Sequence, residues 1–298
     1  MSFEYYGRKI VIIGYLIRNH LMERTSKIII LLVTILIIIV SCNPQKKFAT
    51  DFVTKSDQFS IMVLSPEFVY KNNLNTLLVD SLNITDEFIR DSILWQQSHF
   101  FKELNDSLFI ANYILGYKVE LEEYNVNIFD EESSMEFLEK DSNSYMINIA
   151  QLEIEEEDYD FRDETTIYDY VYFHDHKLKA VNINSWFEIN MINDSSEENL
   201  FYTTNTITDD LNSSFDYNIF NGEVEYIHEI DSLTVHKIYE YAYLLGRIYA
   251  TYTYDFMMNR YISKNQGYAV KKGDLLRFNP NTNTFFIAGE NRFISMDE

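Results

Sequence analysis

The chain has 298 residues, of which 46% are hydrophobic and 16% aromatic, and this apolar content excludes global disorder. A formal charge of −23 argues against a nucleic-acid partner, because such binding needs clustered Lys and Arg that displace counterions from phosphates. The single cysteine, Cys42, excludes an internal disulfide and a cysteine-based zinc site.

The first feature along the chain is an apolar run at residues 28–40, interrupted by one threonine. The 13 residues of this run are fewer than the roughly 20 that a membrane-spanning helix needs. Arg24 and Lys27 precede the run, and this order of basic and apolar segments is typical of an export signal peptide. We therefore predict a leader over residues 1–41, with Met22 as its natural start.

The leader ends in Ile-Val-Ser-Cys at residues 39–42, which resembles the bacterial lipoprotein box. This resemblance implies that Cys42 is acylated and attaches the mature chain to a lipid bilayer. Each buried acyl CH₂ contributes about 0.8 kcal/mol, so two or three chains hold a protein permanently. Asn43 stands where an aspartate often retains such lipoproteins in the inner membrane. The resemblance therefore implies a lipid-anchored protein of the cell envelope, placed on the outer membrane and facing the periplasm.

After the cysteine, residues 42–57 are polar and predict a tether, followed by one globular domain over 58–298. Residues 59–64 are apolar and predict a buried strand that Ser65 and Pro66 end. The next part of the chain predicts two helices and a short strand. We expect one helix from a Thr85 cap to about Leu104, a second from Asp106 or Ser107 to Gly116, and a strand over 117–121.

Strands dominate the middle of the chain. Residues 145–155 carry apolar side chains on both faces and predict a covered central strand, and residues 167–174 predict another. Residues 180–192 alternate between apolar and polar side chains, which predicts an antiparallel sheet with one wetter face. Residues 200–207 are expected to pair with that strand across a polar turn.

The longest predicted helix covers residues 234–262, is rich in tyrosine and has Asp231 and Ser232 as candidate caps. Its small residues, Ala242, Gly246 and Ala250, would allow close approach of another backbone. A hairpin follows within residues 275–294, and a subdomain break is expected near 210–232. The fold class is therefore predicted as α+β, with a mixed, mostly antiparallel sheet packed against helices.

Metal-type ligands cluster at His174-Asp175-His176, where alternate residues of a strand share a face. His174 and His176 could therefore bind zinc or copper if His228, His236 or a carboxylate supplied a third ligand. The alternative is a polar strand end without metal, which the lack of a complete ligand motif favours. No nucleotide-binding or nucleophile-elbow motif occurs, and we expect no cofactor.

Three aromatic residues are candidates for a binding surface: Trp186, Tyr241 and Tyr252. Tyrosine gives a large contact area at low entropic cost, although core packing of the helical tyrosines is the alternative. Four Asp-Ser-apolar tripeptides resemble O-glycosylation sites of Bacteroidota. Their serines are Ser81, Ser92, Ser107 and Ser232.

The leader, the composition and the Asp-Ser sites together resemble uncharacterised lipoproteins of the Bacteroidota. The order of elements over residues 58–210 is also similar to the periplasmic lipoproteins that activate peptidoglycan synthases and to the curli-secretion lipoproteins. This second resemblance carries no motif, so no functional residue is transferred.

Three functions follow as expectations. The first is a non-catalytic envelope lipoprotein that binds or scaffolds another envelope component. The second is an envelope hydrolase that uses a metal at His174 and His176 or a pair of carboxylates. The third is a glycan-binding lipoprotein that uses Trp186 and exposed tyrosines. The absence of common catalytic motifs favours the first.

Overall fold

A computed structural model describes residues 44–140, 143–192 and 194–296, without the side chains of 194–198 and Lys272. The predicted leader and Cys42 lie outside these residues. The chain divides into two units at Thr50, and only residues 44–50 of the first are described, which are helical. The second unit comprises residues 51–298. No helix within the described residues has both the length and the apolarity of a membrane span.

Six α-helices and eleven strands are present in the described part of the chain. The helices are α1 (Pro44–Thr54), α2 (Leu77–Ser81), α3 (Glu87–Gln97), α4 (Asp106–Glu123), α5 (Ser134–Leu138) and α6 (Val235–Gln266). The strands are β1 (Ser60–Leu64), β2 (Tyr70–Asn73), β3 (Asn127–Phe129), β4 (Ser144–Ile167), β5 (Tyr170–Met191), β6 (Asp194–Thr208), β7 (Asp210–Tyr217), β8 (Val224–Asp231), β9 (Leu276–Asn279), β10 (Thr284–Ile287) and β11 (Ile294–Ser295). This content confirms the predicted α+β class and the long tyrosine-rich helix.

The main sheet has seven strands in the order β11-β6-β5-β4-β1-β3, with β2 also paired to β4. The pairs among β4, β5, β6 and β11 are antiparallel, whereas β1, β2 and β3 pair in parallel. The sheet is therefore mixed and mostly antiparallel, as predicted. Two further sheets are the hairpins β7–β8 and β9–β10.

The alternation predicted for residues 180–192 is confirmed within β5. Val181, Ile183 and Ile189 are completely buried on one face, while Trp186 and Glu188 on the other are half-buried. The strand is longer than predicted because its first half continues the hairpin with β4 as far as Tyr170. The turn into β6 is shorter than predicted, since Met191 already pairs with Asp194.

The prediction that β4 is covered on both faces was only partly right. Its residues Ile147, Ile149, Leu152 and Ile154 are completely buried, and a β-bulge between Ile149 and Gln151 keeps the four on one face. The other face is half-buried and is covered near the start of the strand, where Met146 packs against a small cluster of Met62, Phe129 and Phe137.

The acidic run that follows in β4 contains a structural carboxylate. Glu156 is completely buried and accepts hydrogen bonds from the Ser98 hydroxyl at 2.5 Å and the His99 backbone N–H at 2.8 Å. Burial of a charged group requires such partners. Glu156 therefore fixes the loop after α3 against the sheet.

Helices α4 and α6 cross at two glycines. A Cβ added at Gly116 would lie 2.0 Å from the Tyr243 carbonyl oxygen, and one at Gly246 would lie 2.0 Å from the Tyr113 carbonyl oxygen. The two backbones are therefore in contact, which confirms the role predicted for the small residues of α6. The prediction that Gly116 ends a helix was wrong. Helix α4 continues through Gly116, whose missing side chain allows this contact.

The same contact explains a second wrong prediction. Residues 117–121 are the continuation of α4 and not a strand, and Tyr117 and Leu121 are completely buried. The caps also differ by a residue or more from those predicted. The side chains of Asp86, Asn105 and Thr234 accept the capping hydrogen bonds of α3, α4 and α6.

The predicted tether over residues 42–57 extends too far along the chain, because the second unit already begins at Asp51. Phe52 is completely buried, with ring centroids 4.5 Å from Phe59 and 5.2 Å from Tyr254. The hydroxyl groups of Ser56 and Tyr254 are 2.7 Å apart. The apolar gain of burying an aromatic ring accounts for the order of this segment.

The hairpins at residues 210–231 and 276–287 flank α6 in the chain. The expected subdomain break near 210–232 coincides with the first hairpin, β7–β8, which belongs to the same unit as the main sheet. The second hairpin, β9–β10, confirms the predicted C-terminal hairpin, and Phe285 pairs with Phe278 across it.

We predict that Gly246→Ala destabilises the protein, because the new methyl group overlaps the Tyr113 carbonyl. Overpacking of this kind costs about 1–3 kcal/mol, and more where backbone atoms must move. Urea unfolding of the detergent-solubilised chain measures the loss. Gly273→Ala is the matched control, since nothing lies within 4 Å of its added Cβ. Equal stabilities of the two variants would contradict the close contact.

Candidate functional site

A cavity of about 900 Å³ lies at one end of the sheet. Its walls come from the end of the sheet where β4 begins and β5 finishes, from the C-terminal half of α6, and from the chain after that helix. Binding pockets for small organic ligands have volumes of about 300–1,000 Å³. This cavity is therefore large enough for such a ligand.

One wall of the cavity is aromatic. Phe201 lies with its ring centroid 5.2 Å from both Phe256 and Phe293, and Tyr252 meets Phe293 edge-on at 5.5 Å. Phe201 and Phe293 are buried, while Tyr252 and Phe256 are half-buried and present part of their rings to the cavity. These rings offer an apolar wall against which a ligand can pack.

An acid and an arginine meet beside this wall. Asp255 lines the cavity from α6 and is only 6% exposed, and its Oδ2 accepts a 2.6 Å hydrogen bond from Arg277 Nε of β9. The Arg277 guanidinium also lies over the Tyr252 ring, 5.1 Å from its centroid. The other oxygen of the acid, Oδ1, is buried and has no hydrogen-bond partner among the described residues.

Burial raises the pKa of Asp255 to about 7, because the charged form loses its hydration. The charge and hydrogen bond of Arg277 and the Phe278 backbone N–H oppose this rise. The neighbouring Asn259 holds the hairpin in place, since its side chain donates to the Leu276 carbonyl at 2.8 Å and accepts from the Leu276 N–H at 2.9 Å. These two hydrogen bonds hold β9, the strand that carries Arg277, against α6 and so fix the position of Arg277.

Basic and amide side chains complete the lining. Arg260, Lys264 and Arg292 line the cavity together with Asn143 and Asn265. Among the described lining residues, Asp255 is the one carboxylate and no histidine occurs. The cavity therefore gathers cations within a chain whose net formal charge is −23.

Of the three predicted binding residues, Tyr252 lines this cavity and the other two do not. Trp186 packs against Tyr202 on the wetter face of the sheet, with ring centroids 5.1 Å apart. The Tyr241 hydroxyl donates to the Thr206 carbonyl at 3.2 Å. The structure does not bring Trp186, Tyr241 and Tyr252 together into one surface.

The predicted metal residues form a stack of aromatic rings. His174 and His176 are neighbours on one face of β5, with ring centroids 4.6 Å apart, and His228 of β8 lies 5.6 Å and 5.0 Å from them. Tyr226 stacks on His174 at 4.5 Å, and its hydroxyl lies 2.5 Å from His176 Nε2. Burial, together with the charges of the other two histidines, lowers the pKa of His176.

This stack joins the β4–β5 hairpin to the β7–β8 hairpin, since Tyr226 also donates to Asp163 Oδ2 at 2.9 Å. His236, the last of the four histidines considered as metal ligands, lies on α6. Its Nε2 is 3.4 Å from Glu240 Oε1. In the described part of the chain, no group of three or more His, Cys, Asp or Glu could hold a metal ion. The geometry of the stack is that of packed rings.

The four serines of the Asp-Ser tripeptides lie on or next to helices and are exposed. Ser81 donates to the Leu78 carbonyl at 2.7 Å in the last turn of α2. Ser92 belongs to α3 and Ser107 to the first turn of α4, and Ser232 precedes α6. Each position is accessible to a modifying enzyme, and two of these tripeptides lie beside helix starts.

No protein-family model matches this chain, and none of the curated proteins is similar to it in sequence.

Sequence reasoning missed Asp255, Arg277 and the cavity itself. One signal was present, because Thr253, Asp255 and Asn259 are polar residues on the buried face of an otherwise apolar helical stretch. Buried polar residues in such a stretch need partners from another element. The partner could not be identified, since Arg277 is 22 residues away and its position depends on the C-terminal hairpin.

We predict that Asp255 makes stability fall as the pH rises from about 4 to about 7. The folded state keeps the Asp255 proton up to about pH 7, whereas the unfolded chain releases it near its ordinary pKa of 3.8. The folded state therefore binds more protons than the unfolded chain in this window. The free energy of unfolding falls as the pH rises through the window, and above it this carboxyl causes no further change.

Urea unfolding of wild type and Asp255→Asn across this pH window measures the effect. As the pH rises, the unfolding free energy of wild type should fall relative to that of Asp255→Asn. Asp274→Asn, at an exposed carboxyl, is the matched control. A pH-independent difference for Asp255→Asn would contradict the raised pKa.

Proposed function

We propose that the chain is a membrane-anchored lipoprotein of the bacterial envelope and that its folded unit is a non-catalytic binding module. The observation that carries the binding role is the cavity of about 900 Å³, with its aromatic wall and its basic and amide side chains. A large apolar pocket with converging polar side chains is the usual form of a small-molecule site. A residue with a strongly shifted pKa, Asp255, lies in the same pocket, which is typical of functional sites.

The composition of the lining favours binding over hydrolysis. The common glycosidase mechanism pairs one carboxyl group with a second one across the scissile bond. Among the described lining residues, Asp255 stands without a second carboxylate or a histidine, and its Oδ2 is held by Arg277. His174 and His176, the residues of the hydrolase alternative, do not line the cavity and are packed against Tyr226.

The envelope location rests on the leader pattern. A basic segment, a short apolar run and Ser41-Cys42 follow each other in the order that lipoprotein export requires. The −23 charge repels an anionic membrane surface, so attachment would come from acyl chains on Cys42 and not from basic side chains. The anchor would hold the module at the membrane, where envelope ligands are concentrated.

We predict that Cys42→Ala abolishes acylation and leaves full-length precursor, because the peptidase acts on the lipid-modified cysteine. Intact-mass measurement of the membrane fraction shows the wild type as a chain that begins at Cys42 and carries acyl mass. Globomycin, which blocks that peptidase, should likewise accumulate precursor of the wild type. Ser41→Ala is the matched control, since alanine is also small enough for the peptidase. A free thiol at Cys42 in the wild type would contradict the anchor.

A second prediction concerns the cavity. The aromatic anion 8-anilinonaphthalene-1-sulfonate should bind saturably to the detergent-solubilised chain, because the cavity combines aromatic and basic groups. Ala269 is an exposed residue of the lining, so Ala269→Trp should block entry and weaken binding about tenfold. Fluorescence titration measures this effect.

Ala111→Trp, on the exposed side of α4, is the matched control and should bind the dye like the wild type. Near-ultraviolet circular dichroism verifies that each protein is fully folded, since this dye also binds loosely packed states. Absence of saturable binding, or equal binding by Ala269→Trp, would contradict a ligand site in this cavity.

A further inference from the structure

We infer that the cavity takes an elongated amphiphilic anion, which is a molecule with an apolar body and an acidic group at one end. This inference rests on the proposed binding function and names the chemical class of the ligand. Arg260 and Lys264 hold the acidic group, and the aromatic wall covers the apolar body.

The order of side chains along α6 separates the two ends of the ligand. Four residues that line the cavity follow each other at intervals of four: Tyr252, Phe256, Arg260 and Lys264. Residues with this spacing lie on one face of a helix. The first two are aromatic and the last two are basic, and the centres of the two halves are about 12 Å apart along the helix axis. A ligand that uses both halves is therefore elongated.

The two ends of this row also differ in depth. The half-buried rings of Tyr252 and Phe256 contact the buried rings of Phe293 and Phe201, at centroid distances of 5.5 Å and 5.2 Å respectively. Lys264, at the other end, is exposed. The apolar body therefore lies deep in the cavity, and the acidic group lies nearer the solvent. This order suits an acid, because full burial of its charge would cost much more free energy.

The charge of the lining favours an acid over other ligands. Arg260, Lys264 and Arg292 are cations, whereas the one carboxylate among the described lining residues, Asp255, is paired with Arg277 at 2.6 Å. A cationic ligand would be repelled. A neutral apolar ligand would remove water from the half-buried arginines without replacing it, which costs free energy. An acid replaces that water with charge-assisted hydrogen bonds.

The cations have donors to offer such a ligand. Within the part of the chain that the structure describes, Lys264 forms no ion pair. Arg260 and Arg292 also interact with other groups of the chain, but a guanidinium carries several N–H donors and can serve a second acceptor. The negative end of the α6 dipole lies in the same turn as Lys264. It amounts to about half a charge, which the full charges of Arg260 and Lys264 exceed.

Two dyes that differ in charge test the acidic group. 8-Anilinonaphthalene-1-sulfonate is an anion, and N-phenyl-1-naphthylamine is the same ring system without the sulfonate. Each dye is titrated into the full chain, held in nanodiscs of phosphatidylcholine, and empty nanodiscs give the blank. We expect both dyes to bind saturably, because both can use the aromatic wall, and only the anion to bind more weakly at high salt.

Charge variants locate the group that recognises the anion. Arg260→Gln/Lys264→Gln should weaken the anionic dye about tenfold and leave the neutral dye unchanged. Arg260→Lys/Lys264→Arg keeps both charges and should bind the anion like the wild type. Lys102→Gln, at an exposed lysine outside the lining, is the matched control and should bind both dyes normally.

Folding of each variant is verified by near-ultraviolet circular dichroism. If the double variant fails to fold, Lys264→Gln alone keeps the test valid, because Lys264 is exposed and its replacement disturbs no packing. This single variant should weaken the anionic dye about threefold.

Three probes with the same decyl chain identify the acidic group: decanoate, decyl phosphate and decanol. Each competes with bound 8-anilinonaphthalene-1-sulfonate at equal free concentration. We expect at least one of the two acids to displace the dye, and the stronger of them distinguishes a carboxylate from a phosphate. Decanol should be about tenfold weaker, because it lacks the charge. Inorganic phosphate should not displace the dye, because it lacks the apolar body.

The outcomes separate this inference from the proposed function. If Ala269→Trp blocks both dyes but the charge variants bind the anion normally, the anionic ligand is overturned and the binding function stands. The same conclusion follows if the charge variants weaken both dyes equally, or if decanol competes as well as the acids. Displacement by inorganic phosphate overturns the role of the apolar body. Absence of saturable binding by either dye overturns both the inference and the proposed function.

Discussion

The contact of α4 with α6 through Gly116 and Gly246 is the constraint on which the rest of the fold depends. Because neither glycine has a side chain, the two helix backbones touch and both helices reach the same face of the sheet. Tyr113 of α4 then meets Ser185 of β5, and Tyr249 of α6 packs edge-on against Phe187 at 5.5 Å. With α6 held in this way, its C-terminal half extends past the end of the sheet, where it forms one wall of the cavity.

Several tyrosines of α4 and α6 serve this packing. Four of the largest completely buried side chains are tyrosines, and their hydroxyl groups have partners: Tyr113 with Ser185, Tyr117 with Thr253, Tyr249 with Asn205, and Tyr254 with Ser56. A buried phenol adds a large apolar area and one directional bond. This use of tyrosine explains how a core with a high aromatic content also fixes the relative positions of helices and strands.

The sequence allowed prediction of the elements whose pattern is local. The alternation in β5 and the long tyrosine-rich helix α6 follow from local side-chain patterns, and both are confirmed. Predictions failed where distant residues decide. Gly116 resembles a helix stop until Tyr243 is known to lie against it, and the segment around Phe52 resembles a tether until Tyr254 is known to cover it. The cavity depends on α6, the sheet end and the C-terminal hairpin together, so only Tyr252 among its residues was selected in advance.

The parallel position of β1 has a consequence for how the chain reaches its native state. Ser60 pairs with Ser144, 84 residues later, whereas β4, β5 and β6 are joined by turns and pair with their sequence neighbours. Closing the longer loop costs more entropy and slows the step that needs it. We therefore expect the antiparallel part to form early and β1 to dock onto it afterwards. A chain interrupted before residue 144 leaves one edge of β1 without hydrogen-bond partners, and such edges are prone to intermolecular association.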